Sequence, residues 1–181
     1  MNRTIKDALF GVIGGVAGTF VIGQVMGALS KLQSEEDQNR EKELVREEPT
    51  EKLARHISEG ALGIPLSGEK KATAGKAVRW GYGIFWGGAY GLLRKRVPTL
   101  AWGAGLPFGV SFGLFGPAVM LPVMGLTPPA TEFPVSAHAR GLVSHYAYAA
   151  TVEGVCRLCE TIEKKVAGAE PRTNVELRRV S

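Results

Sequence analysis

The chain has 181 residues, and its 22 Lys and Arg outnumber its 17 Asp and Glu, which gives a net charge of +5. The length suits one domain, and the charges are concentrated in residues 31–76 and in the C-terminal tail. A basic chain can bind nucleic acid, but here the excess basic residues flank apolar segments, where they can meet anionic lipid headgroups. The composition therefore argues against a nucleic-acid partner and favours membrane lipids as partners.

The first apolar segment, residues 8–29, has no charged residue and exceeds the roughly 20 residues that a transmembrane helix needs. A cleaved signal peptide is disfavoured, because the run is longer than a typical signal core and no clean cleavage site follows it. Gly11 and Gly15 are four residues apart, so they share one helix face and let a second helix approach closely. We expect residues 1–29 to form an N-terminal transmembrane helix that packs against another helix.

Residues 30–76 are expected to form a charged segment outside the membrane. Between residues 31 and 76 there are nine Lys and Arg and ten Asp and Glu, a mixture typical of a solvated helix or a disordered chain. The last part of the segment, residues 63–75, is predicted to be a loop.

A short amphipathic helix is predicted within this segment, over residues 51–59. Thr50 can cap its start, and Gly60 can end it. One face carries apolar side chains, which suits the membrane surface or a partner, or equally the protein's own loops. These side chains belong to Leu53, Ala54 and Ile57.

The second apolar segment, residues 77–93, is just long enough to span a membrane. Arg79 lies near its start, where an arginine can extend its charged group to the interface. Gly83, Gly87 and Gly91 repeat the four-residue spacing of the first segment. Aromatic side chains on adjoining faces are expected to serve packing rather than ligand binding; they are Tyr82, Trp86 and Tyr90.

The third segment, residues 99–126, is uncharged and longer than one straight span requires. It carries a further glycine series, Gly105, Gly109 and Gly113. Prolines remove backbone donors, so a bent helix is the simpler prediction and a broken helix that lines a substrate cavity is the alternative. The prolines are Pro107, Pro117 and Pro122.

A fourth helix is predicted over residues 135–158, after a proline-rich turn at residues 127–134. At 100 degrees per residue its polar side chains fall within about 80 degrees of one another. Ionisable groups at membrane depth are costly unless they face the bundle interior or water, so this stripe should face inward. Its members are His138, His145, Ala149, Glu153 and Cys156.

These segments predict an all-α polytopic membrane protein, with four transmembrane helices in a glycine-rich bundle that can self-associate. Basic residues cluster before the first helix, between the second and third, and after the fourth, which places both termini in the cytoplasm. Residues 77–159 would be a three-helix transmembrane region, and residues 160–181 a cytoplasmic tail.

A set of proline, glycine, histidine and tyrosine residues in the second half of the chain matches a known pattern. It comprises Leu121, Pro122, Gly125 to Pro129, Glu132, Pro134, His138, His145 and Tyr148, with Gly83, Gly87, Tyr90 and Gly91 upstream. The pattern resembles the YagU-like family of bacterial inner-membrane proteins, whose function is unknown. The resemblance implies a small multi-span protein of the bacterial inner membrane, and it brings no catalytic residues with it. The charged segment at residues 31–76 and Arg79 depart from the pattern.

His138, His145 and Glu153 are the best candidates for a functional role, since a histidine and a carboxylate can pass protons or hold a cation. The alternative is that the imidazoles bind backbone carbonyls and fix helix packing. A haem site is disfavoured because no other membrane segment carries a histidine. Cys156 and Cys159 form a lone Cys-x-x-Cys, for which two reduced structural thiols are favoured over redox or metal chemistry. No metal site and no cofactor are expected.

The predicted function is therefore structural or regulatory in the cell envelope, with acid or stress tolerance as a hypothesis that rests on the histidine stripe. The alternative is a small channel or transporter whose path is lined by the kinked third helix and the stripe. An enzyme is not expected, because no nucleophile with its base and no phosphate-binding loop is visible. Lipids, further copies of the chain or other membrane proteins are the expected partners.

Overall fold

The computed structural model describes residues 2–169, and this part of the chain is helical, without β-strands. Its α-helices are α1 (Arg3–Ser30), α2 (Glu35–Leu44), α3 (Pro49–Leu62), α4 (Gly68–Leu93), α5 (Leu106–Phe115), α6 (Leu121–Val123) and α7 (Val135–Ala169). One turn of π-helix, Gly116–Met120, joins α5 to α6, and short 3-10 turns occupy Pro98–Ala101 and Ala130–Glu132.

Helix α1 is the centre of the bundle, because it packs against both α4 and α7. Helix α5 packs on α7, and α3 packs on α4. Successive long helices run in opposite directions, so the start of α1, the end of α4 and the end of α7 meet at one end of the bundle. We call this the Arg94 end, where Lys95 pairs with Asp7 and Lys6 pairs with Glu163. The opposite end, called the α3 end, holds α2, α3 and the turn before α7.

The contact between α1 and α4 is made by backbone rather than by side chains. A Cβ added at Gly87 would lie 2.5 Å from the Gly11 carbonyl oxygen and 2.5 Å from the Gly15 Cα. A Cβ added at Gly15 would lie 2.8 Å from the Gly83 carbonyl oxygen, and one at Gly91 would meet the backbone of Gly11 at 2.8 Å. Any larger residue would force the helices apart, so glycine is what allows this close approach.

The third glycine series packs against α7 in a similar way. A Cβ added at Gly105 would lie 3.1 Å from the Ala149 carbonyl oxygen. One added at Gly109 would lie 3.1 Å from the Ala149 Cβ. One at Gly113 would lie 3.0 Å from the Cβ of His145. The three glycine series are therefore used for contacts within a single chain, and self-association, which stays a prediction, would need another surface.

Helix α4 begins at Gly68, so the prediction of a loop over residues 63–75 is wrong beyond Ser67. The lysines that made this stretch look solvated lie on a helix that α3 supports. Lys71 Nζ lies 3.3 Å from Glu47 Oε1, and a Cβ at Gly75 would lie 2.6 Å from the Glu51 Cγ. Ion pairs and a close glycine contact hold the first part of α4 against α3 and the residues just before it. Hydropathy alone does not predict a helix there.

Helix α3 is longer than the predicted residues 51–59, and its buried face differs from the predicted one. It starts at Pro49 without a side-chain cap from Thr50 and ends at Gly63, whose φ of +66° is left-handed. Ala54 and Ser58 are buried against the protein, whereas Ile57 is about half exposed. The helix therefore packs mainly on α4, as the prediction of packing on the protein's own elements allowed.

The third apolar segment is not one bent helix from residue 99. Positive φ values at Gly103, Ala104 and Gly105 are incompatible with a right-handed helix, so no helix can run through these residues. Helix α5 starts directly after them, at Leu106, with Pro107 in its first turn. The π turn follows at Gly116, and Pro117 within it has no amide to donate. The helical path therefore starts at Leu106 rather than at residue 99 and continues through the π turn to Val123. A broken helix that lines a substrate cavity stays a prediction.

Helix α7 continues through Ala169, so the separate tail predicted from residue 160 begins as part of this helix. Glu160 and Glu163 on the added turns pair with Arg94 and Lys6, respectively, which holds these turns against the bundle. The rest of the predicted tail, residues 170–181, lies outside the described residues.

Large apolar side chains lie on the outer faces of α1 and α4, while glycines form most of the buried faces of these two helices. On α1, Phe20 is 60% exposed and the buried residues are four glycines and Thr19. On α4, Phe85 is 66% exposed while Tyr90 and four glycines beside it are buried. The extent of exposed apolar side chains on these two helices is unlike that of a water-soluble protein, which keeps contiguous apolar surface small.

Candidate functional site

Glu153 is the most buried charged group in the described part of the chain, with a relative exposure of 1%. Its carboxylate accepts a hydrogen bond from the Tyr90 hydroxyl at 2.8 Å and two from the Arg94 guanidinium, at 2.7 and 2.9 Å. Arg157, one turn along α7, donates a further bond from Nε at 2.5 Å. A buried carboxylate is expensive unless it is paired and hydrogen-bonded, and here both conditions hold.

The Glu153 pair is the inner part of a charge cluster that connects three helices at the Arg94 end. Arg94 also donates to Glu160 at 2.7 Å, and Lys95 bridges Glu160 at 2.8 Å and Asp7 at 2.5 Å. The cluster contains three acidic groups, Asp7, Glu153 and Glu160, and three basic groups, Arg94, Lys95 and Arg157. Its charges balance, so it ties α1, α4 and α7 together without a net charge.

His145 is half-buried near the middle of α7. Its Nδ1 lies 2.7 Å from the Gly141 carbonyl oxygen, and its ring meets the Phe112 ring edge-on, with the centroids 5.1 Å apart. A histidine that binds a backbone carbonyl fits the packing alternative described above, although the carbonyl belongs to its own helix. His145 is also one of the residues that line a cavity.

His138 is exposed, so the expectation that the whole stripe faces inward is wrong at this position. It lies in the first turn of α7, and its Nε2 lies 2.9 Å from the Ala130 carbonyl oxygen. Ala149, Glu153 and Cys156 of the same stripe are buried. The structure does not bring His138, His145 and Glu153 together into one site, and a shared role for them stays a prediction.

A cavity of about 310 Å³ lies between α1, α4, the π turn and α7, on the α3 side of the bundle. Its walls are mainly apolar, and the start of α3 lies over it. The apolar lining residues include Ile22, Met26, Val78, Phe112, Met120 and Met124. Polar groups also reach it: Thr19, Arg79, Tyr82, His145 and Tyr148.

Two of these polar groups already donate hydrogen bonds to backbone carbonyl oxygens. The Tyr148 hydroxyl donates to the Gly83 carbonyl oxygen at 2.5 Å, and the Thr19 hydroxyl donates to the Gly15 carbonyl oxygen at 2.7 Å. Arg79 is different, because it has no hydrogen bond or ion pair with any other residue among those described. Its guanidinium lies over α1, where a Cβ added at Gly23 would come within 3.5 Å of Nη2.

The cysteines do not form a disulfide in the structure. Cys156 is buried in the core beside Tyr148 and Val152, whereas Cys159 is only half-buried. Between residues 2 and 169 no group of three or more His, Cys, Asp or Glu is close enough to hold a metal ion.

The fold and this site define an all-helical protein with helices suited to a membrane. Two segments, Arg3–Ser30 and Leu106–Val123, are long and apolar enough to cross one by length and composition. The chain belongs to the family described as "Protein of unknown function (DUF1440)", whose model matches residues 25–154. No curated protein and no solved structure shows a significant match to the chain.

Sequence reasoning found Glu153 but missed its partners, Arg94 and Tyr90. Arg94 was assigned to a cytoplasmic loop, and Tyr90 only to packing. A usable signal existed, since a carboxylate on an inward helix face requires a counter-charge. The chain direction brings residue 94, at the end of α4, to the same end of the bundle as the second half of α7.

Proposed function

We propose that the protein is an integral membrane protein that crosses the bilayer four times, through α1, α4, the α5–α6 unit and α7. The observation that carries this proposal is the distribution of side chains on α1 and α4, with Phe20 and Phe85 outside and glycines at the contact between the two helices. In lipid, close packing of small residues replaces the hydrophobic effect as the source of helix association. The charged groups of α4 and α7 fit this environment, because Glu153 and Arg94 neutralise each other inside the bundle.

We further propose the inner membrane of a bacterium as its location, with both termini in the cytoplasm. The charge distribution supports this orientation, since the Arg94 end carries Lys6, Arg94, Lys95 and Arg96 close to the membrane ends of its helices. The opposite end holds the acidic α2, the neutral α3 and the acidic turn at residues 127–134.

The role that the geometry favours is structural or regulatory rather than transport or catalysis. A path along His138, His145 and Glu153 would have to pass Glu153, whose carboxylate is enclosed by Tyr90, Arg94 and Arg157. The cavity beside His145 and the interrupted third segment are the features that a channel or transporter would use. Both features lie on the α3 side of the Glu153 cluster and do not extend through it. Transport therefore has less support than a structural or regulatory role. A link to acid tolerance remains part of the proposal without a structural observation to carry it.

Membrane location and orientation can be tested with cysteine labelling. In a background with Cys156→Ala and Cys159→Ala, Arg96→Cys and Lys42→Cys would each be treated with a membrane-impermeant maleimide in intact spheroplasts. We expect labelling of the residue 42 variant at once, and of the residue 96 variant only after the membrane is opened. Release of the protein into alkaline carbonate, or immediate labelling at residue 96, would overturn the proposal.

The role can be tested by reconstitution into liposomes. A structural or regulatory protein should give no proton or solute flux above that of empty liposomes. Flux that is present in the parent protein and lost in His145→Ala would instead establish the transport alternative.

A further inference from the structure

The cavity on the α3 side of the bundle has the properties of a ligand site rather than of a packing defect. Its volume of about 310 Å³ falls at the small end of the range of roughly 300–1,000 Å³ typical of small-molecule pockets. Its walls come from six α-helices and the π turn and include three methionines, whose flexible side chains adapt to irregular apolar partners. The methionines are Met26, Met120 and Met124.

A backbone feature keeps this space open. Directly beside the cavity, Gly83 holds α4 against α1 while the π turn at Gly116–Met120 interrupts the third segment. Pro117 lies in this turn and lines the cavity, so the regular helix that could close the gap does not form there. Phe112 and Tyr82 stack at 5.4 Å along the same wall and give it a flat apolar surface.

Arg79 gives the cavity a charge preference. It lies where the charged first part of α4 gives way to the apolar part, and no described residue pairs with it. Arg79 is exposed, so its guanidinium is accessible at the edge of the cavity, and its planar group suits a carboxylate or a phosphate. Glu48, at the start of α3, is the acidic residue that also lines the cavity, but it forms no ion pair with Arg79.

We propose that this cavity binds one anionic single-chain lipid, with its acyl chain along the methionine wall and its carboxylate or phosphate on Arg79. The apolar walls match a hydrocarbon chain, the volume holds one chain, and the unpaired guanidinium matches an anionic head group. The proposal depends on the proposed membrane location only because the membrane would supply the lipid. The residues that would bind the lipid are those that line the cavity.

Binding can be measured by native mass spectrometry of the full chain, purified in detergent. Three probes separate the possible ligands: a long-chain fatty acid, a lysophosphatidylglycerol and an uncharged monoacylglycerol of the same chain length. We expect a single bound molecule of one or both anionic probes, and weaker binding of the uncharged one. Preference between the two anions would identify the head group as carboxylate or phosphate.

Charge variants test the role of Arg79. Arg79→Gln should weaken anionic lipid binding by about tenfold or more, the effect of losing a charge-assisted hydrogen bond. Lys76→Gln, which removes an exposed lysine of the same helix that does not line the cavity, should leave binding unchanged. Glu48→Gln should strengthen it, because a negative charge at the cavity would be removed.

Size variants test whether the cavity is the site. Met120→Trp places a larger side chain in the cavity, and Val119→Trp places the same side chain on the outer surface one residue earlier. Binding should be lost in the first variant and kept in the second. If Met120→Trp does not fold, Leu53→Trp fills the cavity from α3 and serves in its place.

Three results would overturn the proposal: equal binding of the uncharged probe, several weakly bound molecules instead of one, or exclusive binding of a two-chain phospholipid. Binding that is unaffected by both Arg79→Gln and the tryptophan variants would also overturn it. None of these variants makes the outer surface less apolar, since Val119→Trp replaces one exposed apolar side chain with another. A failure here is therefore distinct from a failure of membrane insertion, which carbonate extraction and cysteine labelling report separately.

Discussion

Helix α4 meets its neighbours in two different ways along its length. From Gly83 to Gly91 its backbone lies directly on that of α1, and the contact ends at the buried pair of Arg94 and Glu153. From Val78 to Tyr82 the same helix faces a cavity instead. The first region is closed because small residues remove the obstacle to approach, and the second is open because larger side chains and the π turn keep the helices apart.

The comparison shows that the composition of a helix does not decide how it packs, whereas the spacing of its glycines does. The closed region has no side chains that could rearrange, and it is secured by ions that neutralise one another. The open region has adaptable side chains and one cation without a partner in the described chain. We expect changes in the closed region to affect stability, and changes in the open region to affect binding.

The largest expected effect comes from placing a side chain in the closed region. Gly87→Leu should cost at least about 3 kcal/mol, the upper end of ordinary overpacking, because the new Cβ would meet the backbone of both Gly11 and Gly15. Thermal unfolding in detergent measures the loss. Gly81→Leu, on the same helix with open space around its Cβ, is the control, and equal damage in both variants would contradict the backbone contact.

The next effect comes from the ion pair that closes the Arg94 end. Glu153→Leu should destabilise the protein by about 3 kcal/mol, near the lower end for a broken buried pair, because Arg94 keeps its bond to Glu160. The free energy of unfolding from SDS titration gives the value.

Two variants make this measurement specific. Arg94→Met combined with Glu153→Leu should recover part of the lost stability, since no unpaired charge stays buried. Glu163→Gln, which removes a more exposed ion pair with Lys6, should change stability by less than about 1 kcal/mol. A double variant that is less stable than Glu153→Leu would contradict the buried pair.

A smaller effect is expected at the border between the closed and open regions. Tyr148→Phe removes a buried hydrogen bond to the Gly83 carbonyl oxygen and should cost about 1 kcal/mol. Tyr146→Phe removes a longer and more exposed bond to the Gly103 carbonyl oxygen, and its cost should be smaller. The same unfolding experiment measures the loss of stability in both variants. A larger loss for Tyr146→Phe than for Tyr148→Phe would show that the border between the closed and open regions is not at Tyr148.

The smallest effect concerns α3, which lies over the open region. Hydrogen bonds from Arg55 and Lys71 lower the pKa of Glu47 from its usual value near 4.5 to about 2, against a smaller opposing effect of burial. The folded state therefore prefers the carboxylate, and the stabilisation is fully present above pH 4.5 and is lost as the pH falls towards 2.

Glu47→Gln removes this pH-dependent contribution. The melting temperatures of the parent protein and this variant should differ at pH 6 and converge as the pH falls from 4.5 towards 2. Glu43→Gln, at an exposed carboxylate of α2, should follow the parent protein at every pH. A difference between the parent and Glu47→Gln that stays constant across this range would show that Glu47 is not held as a carboxylate.

The sequence was informative where one helix face could be identified by spacing alone. The four-residue spacing predicted that Gly11, Gly15, Gly83 and Gly87 would face other helices, and the structure has them in contact with one another. Spacing does not say which face meets which, so the pairing of α1 with α4 and of α5 with α7 had to come from the structure.

Charge was harder to interpret than spacing. Lys71 suggested a solvated loop, because its ion pairs with Glu47 and Glu51 depend on a helix more than fifteen residues away in the chain. The buried pairing of Arg94 was missed for the same reason, since its partner Glu153 follows 59 residues later. His138 shared a face with Glu153 in projection, but a projection does not show where the neighbouring helices end.

The backbone contact between α1 and α4 also determines which parts of the molecule can yield. Gly11, Gly15 and Gly87 have no side chains that could change rotamer, so the contact between α1 and α4 cannot adjust by repacking. We expect the two helices to move as one rigid unit. Any widening of the space beside His145 must then come from residues 116–123, where regular hydrogen bonding is already interrupted, or from α3. The side of the cavity that α1 and α4 form is therefore the fixed one, and the π turn at Pro117 is where we expect the opposite wall to adjust.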